Sequence, residues 1–309
     1  MWRAGGEHEQ PASQRAGHTV VAASIPWRGG THAMIVFGGY ADGETTCDAH
    51  LFFPLPPSAV GPLGRWERLD AVAVGEPPAP RAMHAAAMLG DTMVVHGGWG
   101  GGDVLRGDTC TLHLSGDQPH WEAPSERLVV APDPPARQGH TLVGADGCAD
   151  VLLFGGDTGA AVTNELWSLS FLADGALRWE RLRSTGRPPR ARSGHVACAL
   201  RLSSHAGTTH HMLISGGRGG DGACLGDVLV LAWEGRQWSE PKVRLPERRA
   251  HAARSAPGRA AARSIQRPAP TAITPPPPPR RPGTAPPRRS TAPAHHLLRP
   301  RGFMGRPQG

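Results

Sequence analysis

Four arginines and four histidines recur at one fixed offset in this 309-residue chain, and their types and spacing could carry chemistry. They form four Arg-x-x-His segments: Arg15 with His18, Arg81 with His84, Arg137 with His140, and Arg192 with His195. An imidazole can ligate a metal or pass a proton, and a guanidinium fork can grip a carboxylate through two parallel hydrogen bonds. The histidines stand 66, 56 and 55 residues apart, and recurrence at one place in a repeat favours a structural role over metal ligation. For the arginines two roles stay open: contact with a carboxylate on a ligand, or bonds to neighbouring carbonyls and an adjacent acidic loop. His205, His210 and His211 are close enough in sequence to hold a metal, but no spacing rule supports them. The cysteines (Cys47, Cys110, Cys148, Cys198, Cys224) are odd in number and widely spaced, without a CxxC pair. That argues against a disulfide framework or zinc knuckle and for reduced thiols in an intracellular protein. No Gly-x-Ser-x-Gly, phosphate-binding loop or His-Glu-x-x-His sequence occurs.

What must position these residues is a repeat. Each Arg-x-x-His leads through an apolar run and a loop to a second apolar run ending in two glycines: Gly38 and Gly39, Gly97 and Gly98, Gly155 and Gly156, Gly216 and Gly217. A polar residue (Asp48, Asp108, Asn164, Asp227) then opens a third short stretch, and a tryptophan (Trp66, Trp121, Trp179, Trp238) marks a fourth. The repeats span about 15–66, 81–121, 137–179 and 192–238. Four short β segments separated by Gly, Pro and Asp turns predict one four-stranded antiparallel sheet per repeat. With 41 Gly and 32 Pro, a helical bundle is disfavoured.

One twisted four-stranded sheet cannot bury both faces, so such units pack face to face around an axis. The glycine pair then supplies positive φ and close backbone approach where inner strands crowd, and the tryptophan fills the space between sheets. In this combination of Arg-x-x-His, apolar strand, double glycine, polar-led strand and downstream Trp, residues 1–245 resemble the kelch repeat. The resemblance implies an all-β kelch-type β-propeller of four-stranded antiparallel blades, about four recognisable and the ring incomplete. Kelch sequences usually carry a tyrosine in the third strand; this chain has one tyrosine, Tyr40, and places Leu, Phe or Trp there instead. Trp2, 13 residues before Arg15, fits a lone fourth strand able to close a ring, and Arg248-Arg249-Ala250-His251 begins a fifth repeat that does not continue. A fragment, an imperfect gene model or a ring completed by a partner would each account for this.

The resemblance also implies function. In kelch modules that capture acidic peptides, arginines at positions like those of Arg15, Arg81, Arg137 and Arg192 face the central opening. The expectation is therefore a non-catalytic module binding a partner protein or acidic peptide through interblade loops on one face, with no cofactor. The alternative is a kelch-type enzyme, a metal-dependent oxidase or specifier-like protein, or a non-functional fragment. A galactose-oxidase-like copper site uses two tyrosines. An iron site of the specifier type resembles Glu-x-x-x-Asp-x-x-x-His; Glu44 and Asp48 fit its first half, but Phe52 follows and His50 is out of register.

Charge divides the chain. The net charge is +7, yet the 13 arginines from Arg248 onward are unaccompanied by Asp, Glu or Lys, so residues 1–247 carry −6. Nucleic acid is therefore disfavoured as a partner for the propeller. Residues 248–309, with 14 Pro and 13 Arg, are expected to be a disordered tail. Within it 275–281 fits the Pro-x-x-Pro-x-Arg spacing that SH3 domains accept. The N-terminus lacks a signal-peptide core and no 18-residue apolar run occurs, so the protein is expected to be cytoplasmic and to have no membrane span.

Overall fold

A computed structural model of the chain describes residues 12–55, 64–122, 132–205 and 207–241. The chain separates into Met1–Pro246 and Glu247–Gly309, and every described residue belongs to the first. Trp2, the tail from 248 and its 275–281 segment lie outside the described residues.

Among the described residues there is no α-helix, and four antiparallel meanders follow one another. Sheet 1 holds β1 (Thr19–Ile25), β2 (Thr31–Ala41), β3 (Glu44–Pro54) and β4 (Gly64–Arg68). Sheet 2 holds β5 (Ala85–Leu89), β6 (Thr92–Trp99), β7 (Leu105–His113) and β8 (His120–Glu122). Sheet 3 holds β9 (Thr141–Gly144), β10 (Asp150–Phe154), β11 (Leu166–Phe171) and β12 (Leu177–Arg181). Sheet 4 opens with β13 (Thr185–Gly186), parallel to β17 (Gln237–Ser239), and continues with β14 (Val196–Ser204), β15 (Gly207–Ser215) and β16 (Val228–Ala232). The first long strand of each sheet (β1, β5, β9, β14) is innermost, and these four border a central cleft of about 860 Å³.

Side chains alternate between the two faces of a strand, so a sheet with neighbours on both sides needs apolar residues at every position. The middle sheets show this: Met93, Val94 and Val95 in β6, and Val151 to Phe154 in β10, are all fully buried. In β6, Met93 and Val95 join the core with sheet 1, while Val94 joins the core with sheet 3. Three such cores exist among the described residues, between sheets 1 and 2, 2 and 3, and 3 and 4. Trp121, Trp179 and Trp238 each lie in the core toward the preceding sheet, only 1–4% exposed. Trp66 faces outward from sheet 1 and is half-buried.

Candidate protein-interaction face

Each arginine of the Arg-x-x-His segments clamps its own sheet. Arg81 donates from Nη1 to the Gly97 carbonyl (3.0 Å) and with both terminal nitrogens to Asp108 (3.0 and 2.7 Å). Arg15 repeats this with Gly38 and Asp48, and Arg192 with Gly216 and Asp227. Arg137 donates to Gly155 and to Glu165 (2.7 Å). The fork thus ties the first glycine of the pair to the acid that opens the third strand. In the third repeat that acid is Glu165, one position past the expected Asn164, whose amide donates to the Pro189 carbonyl instead. Arg81, Arg137 and Arg192 are 0% exposed. The expectation that these guanidiniums look into the central opening is therefore corrected: their donors are consumed inside the sheets, and a ligand could reach them only by breaking a buried pair.

Burial alone would raise the Asp48 carboxyl, but hydrogen bonds from His50, Arg15 and Thr46 outweigh it and hold it well below the ordinary carboxylate range. Burial is likewise outweighed at Asp108 by Arg81 and at Glu165 by Arg137, and at Asp227 the Arg192 hydrogen bond dominates, so all three are lowered. Asp48 is thereby spent on the arginine clamp and on His50 (2.8 Å), not on a metal half-site with Glu44.

The histidines stitch each sheet to the one before it. At the joint of sheets 1 and 2, Arg81 N–H donates to Thr46 O (3.1 Å), Gly39 N–H to Arg81 O (2.8 Å) and Met83 N–H to Gly17 O (2.7 Å). His84 Nε2 shares a hydrogen bond with Thr19 Oγ1 (2.8 Å), and Phe37 lies against both His84 and Trp121. The same four bonds recur between sheets 3 and 4, with His195 on Thr141 and Phe154 against His195 and Trp238. Between sheets 2 and 3 the backbone bonds are kept but the side chains trade roles. Ala85 replaces the threonine, and its cross-strand neighbour His96 replaces the phenylalanine and offers Nδ1 to His140 Nε2 at 3.1 Å. A Cβ on Gly97 would meet the Arg137 carbonyl at 2.8 Å and the His140 ring at 2.9 Å, which is why glycine stands there, at φ +64°. His205 is exposed, His210 pairs with Glu234, and no cluster among the described residues is arranged to hold a metal.

Around these joints, the four Arg-x-x-His turns converge on an opening of about 400 Å³. The residue after each glycine pair bridges back to its own turn: Tyr40 with Ala16, Trp99 with Ala82, Asp157 with Gln138, Arg218 with Ser193. The rim is therefore aromatic on one side, where Tyr40 and Trp99 lie 5.7 Å apart, and charged on the other. Met83 stands at the aromatic side. It takes φ +54°, where the other three turns use Gly17, Gly139 and Gly194, and is 50% exposed. The left-handed conformation costs a non-glycine residue about 1–2 kcal/mol. Sequence reasoning missed Tyr40, Met83 and Trp99 as rim residues, although Met83 broke the Gly pattern of the Arg-x-Gly-His turns.

Four antiparallel meanders packed around a centre through Arg-x-x-His turns and glycine pairs define a partial β-propeller. The KLHDC2/KLHL20/DRC7 Kelch-repeats domain family matches residues 117–260. Relatives in Arabidopsis thaliana include serine/threonine-protein phosphatase BSL2, 29% identical over 229 residues (72% of this chain and 20% of that protein). Adagio protein 3 is 31% identical (60% of this chain, 28% of that protein), and the F-box/kelch-repeat protein At1g51550 is 31% identical (54% and 33%). The chain thus spans a fifth to a third of the length of these relatives. Its repeats are of the kelch type.

Proposed function

We propose that this module is non-catalytic and holds a partner protein at the rim of the central opening, with Tyr40, Met83 and Trp99 receiving an apolar segment. The observation that carries the reading is Met83: an exposed apolar side chain kept in a strained backbone conformation, in a turn whose preceding residue, Ala82, is bonded to the Trp99 backbone. Strain of this kind persists where surrounding structure imposes it, and it concentrates at binding sites. Rigid sheets offer such a surface without an ordering cost on binding. Five free thiols favour a reducing compartment, and we place the module in the cytoplasm on that ground.

The test is site-specific photo-crosslinking in cells with the full chain. A photoreactive residue at Tyr40 or Met83 should give a discrete adduct, whereas one at Asp91, in the exposed turn at the opposite end of sheet 2, should not. Trp99→Ala should reduce the Tyr40 adduct about tenfold, the size expected for an aromatic anchor. Adducts from Asp91 alone would place the partner elsewhere.

A further inference from the structure

Two of the segments that link one sheet to the next are built alike but carry opposite charge. Each leaves the outermost strand of its sheet at a leucine whose N–H donates to the third strand: Leu69 to the Ala49 carbonyl and Leu182 to the Leu166 carbonyl, both at 2.9 Å. Each then runs parallel to the outermost strand of the following sheet, where Val74 N–H donates to Pro119 O and Thr185 N–H to Arg236 O, at 3.0 Å each. A glycine comes next in both, Gly75 and Gly186, and a Cβ on either would collide with the carbonyl of the tryptophan beside it, Trp121 or Trp238. One exposed residue and two prolines then lead toward the arginine of the next turn.

On that common frame the first linker places acids, Asp70 after the leucine and Glu76 after the glycine, where the linker from sheet 3 to sheet 4 places Arg183 and Arg187. The frame therefore does not dictate the charge. Residues 178–190 hold five arginines against one glutamate, a charge of +4, so the rest of residues 1–247, which carry −6 in all, stands at −10. All five arginines are exposed. Arg178 lies 3.9 Å from Glu180, and Arg190 pairs with Asp221 (3.0 Å). Arg181 pairs with Glu165 (2.9 Å), but that carboxylate already holds the buried Arg137, so one of the two cations is left over. Arg183 and Arg187 have no side-chain hydrogen bond or ion pair among the described residues. The Asn164 amide holds the Pro189 carbonyl (3.0 Å), and Pro188 restricts the backbone at Arg187, so these cations stand on a segment tied down at both ends.

We propose that this linker is a docking surface for a short carboxylate-rich segment of another protein, gripped by Arg181, Arg183 and Arg187. A guanidinium binds a carboxylate through two parallel N–H donors, and a backbone ordered in advance spends little entropy on capture. The extent of the charge selects the partner. Nucleic acid is charged along its whole length and would overrun the linker onto acidic surface, where repulsion opposes it; a short acidic segment ends where the arginines end. The site lies along the outermost strands of sheets 3 and 4 and uses none of the rim residues Tyr40, Met83 and Trp99.

The full chain with a photoreactive residue at Thr185, exposed between the two unpaired arginines, tests this. A labelled decaglutamate peptide should give an adduct there that weakens with salt, and decaglutamine should give none. Arg183→Asp with Arg187→Glu installs the acids of the first linker, so the β-type circular dichroism spectrum should be unchanged while the adduct falls about tenfold. The neutral pair Arg183→Gln with Arg187→Gln should fall between that and the wild type. Arg201→Glu, at an exposed position on β14, should leave the adduct as it was. No adduct at Thr185, the result if only the 13 arginines from Arg248 onward capture the peptide, overturns the proposal. So does an adduct that survives the acidic pair, or one that labelled oligothymidylate forms as readily as decaglutamate.

Discussion

The turns that join the sheets and the residues that rim the opening are neighbours in sequence, yet they follow opposite rules. At the three joints the same types return: an arginine on a carboxylate, a histidine on the preceding sheet, a glycine where a Cβ would collide. One position beyond each glycine pair the types diverge to Tyr40, Trp99, Asp157 and Arg218. Sameness between repeats marks what holds the sheets together, because each joint solves one packing problem. Difference marks what the face offers to others. Substitutions at the joints should therefore move stability, and substitutions at the rim should move binding.

Acid should act most strongly, and through the joints. Burial pushes His84 and His96 down to about 3, with nearby Arg81 and Arg137 respectively adding to it; burial and Arg192 push His195 down to about 4, and His140 lies well below its ordinary range. These imidazoles are neutral when folded but take up protons near pH 6.5 when unfolded. Their contribution is thus complete above about pH 6.5 and is lost as pH falls from there toward 3–4. By pH 5 each costs on the order of 2 kcal/mol, a large share of the 5–15 kcal/mol typical of a domain. His96 and His140 also share one proton between facing nitrogens, and protonating the acceptor destroys that bond. Urea midpoints should fall steeply between pH 7.5 and 5, and a flat profile over that range would show that these rings are not held neutral in the joints.

Arg137→Ala comes next. It removes one of the donors to Glu165, which keeps Arg181 and Trp167, leaves the Gly155 carbonyl without its donor and opens a cavity where a fully buried side chain stood, so it should cost about 3–5 kcal/mol by urea denaturation. Arg218→Ala at the rim should stay within about 0.5 kcal/mol, since its side chain is exposed and donates only to Gly222 nearby. Equal losses from the two would erase the distinction between joint and rim. Trp179→Ala should likewise cost about 3–5 kcal/mol, for it is buried between sheets 2 and 3 and donates to Thr109 (3.0 Å). Trp66→Ala, half-buried and with no sheet in front of it among the described residues, should cost less than half as much.

How far these roles could be read from sequence follows the same division. The repeat exposed the four sheets, the crowding at the glycine pairs and the intersheet position of the tryptophans, because each recurs with its own period. It did not disclose the direction of the arginine forks. Their acids lie 27–35 residues downstream, and only the joint recurrence of Arg and acid linked them, blurred in the third repeat by the shift from Asn164 to Glu165. His96 read as part of an apolar run; the clue was Ala85 where Thr19 follows His18 and Thr141 follows His140, and its meaning depends on the cross-strand pairing of Ala85 with His96. The rim has no period at all, since its residues differ from repeat to repeat.

Met83 brings the two rules together in one residue, and its replacement is the smallest but sharpest test. It occupies a joint, donating its N–H to Gly17 and accepting from Gly139, and its side chain stands at the rim. Glycine adopts φ +54° without steric penalty, and Gly17, Gly139 and Gly194 already do so at +66°, +62° and +64°. Both backbone hydrogen bonds survive the change. Met83→Gly should therefore stabilise the domain by up to about 1 kcal/mol, the relief of left-handed strain less the added entropy of an unfolded glycine. The same variant removes an exposed apolar group from the rim and should weaken partner capture severalfold. A gain in stability together with a loss of binding is the outcome expected if strain is retained here for recognition. A loss of stability would show instead that the methionine packs as part of the joint, and the rim would then begin only beyond it.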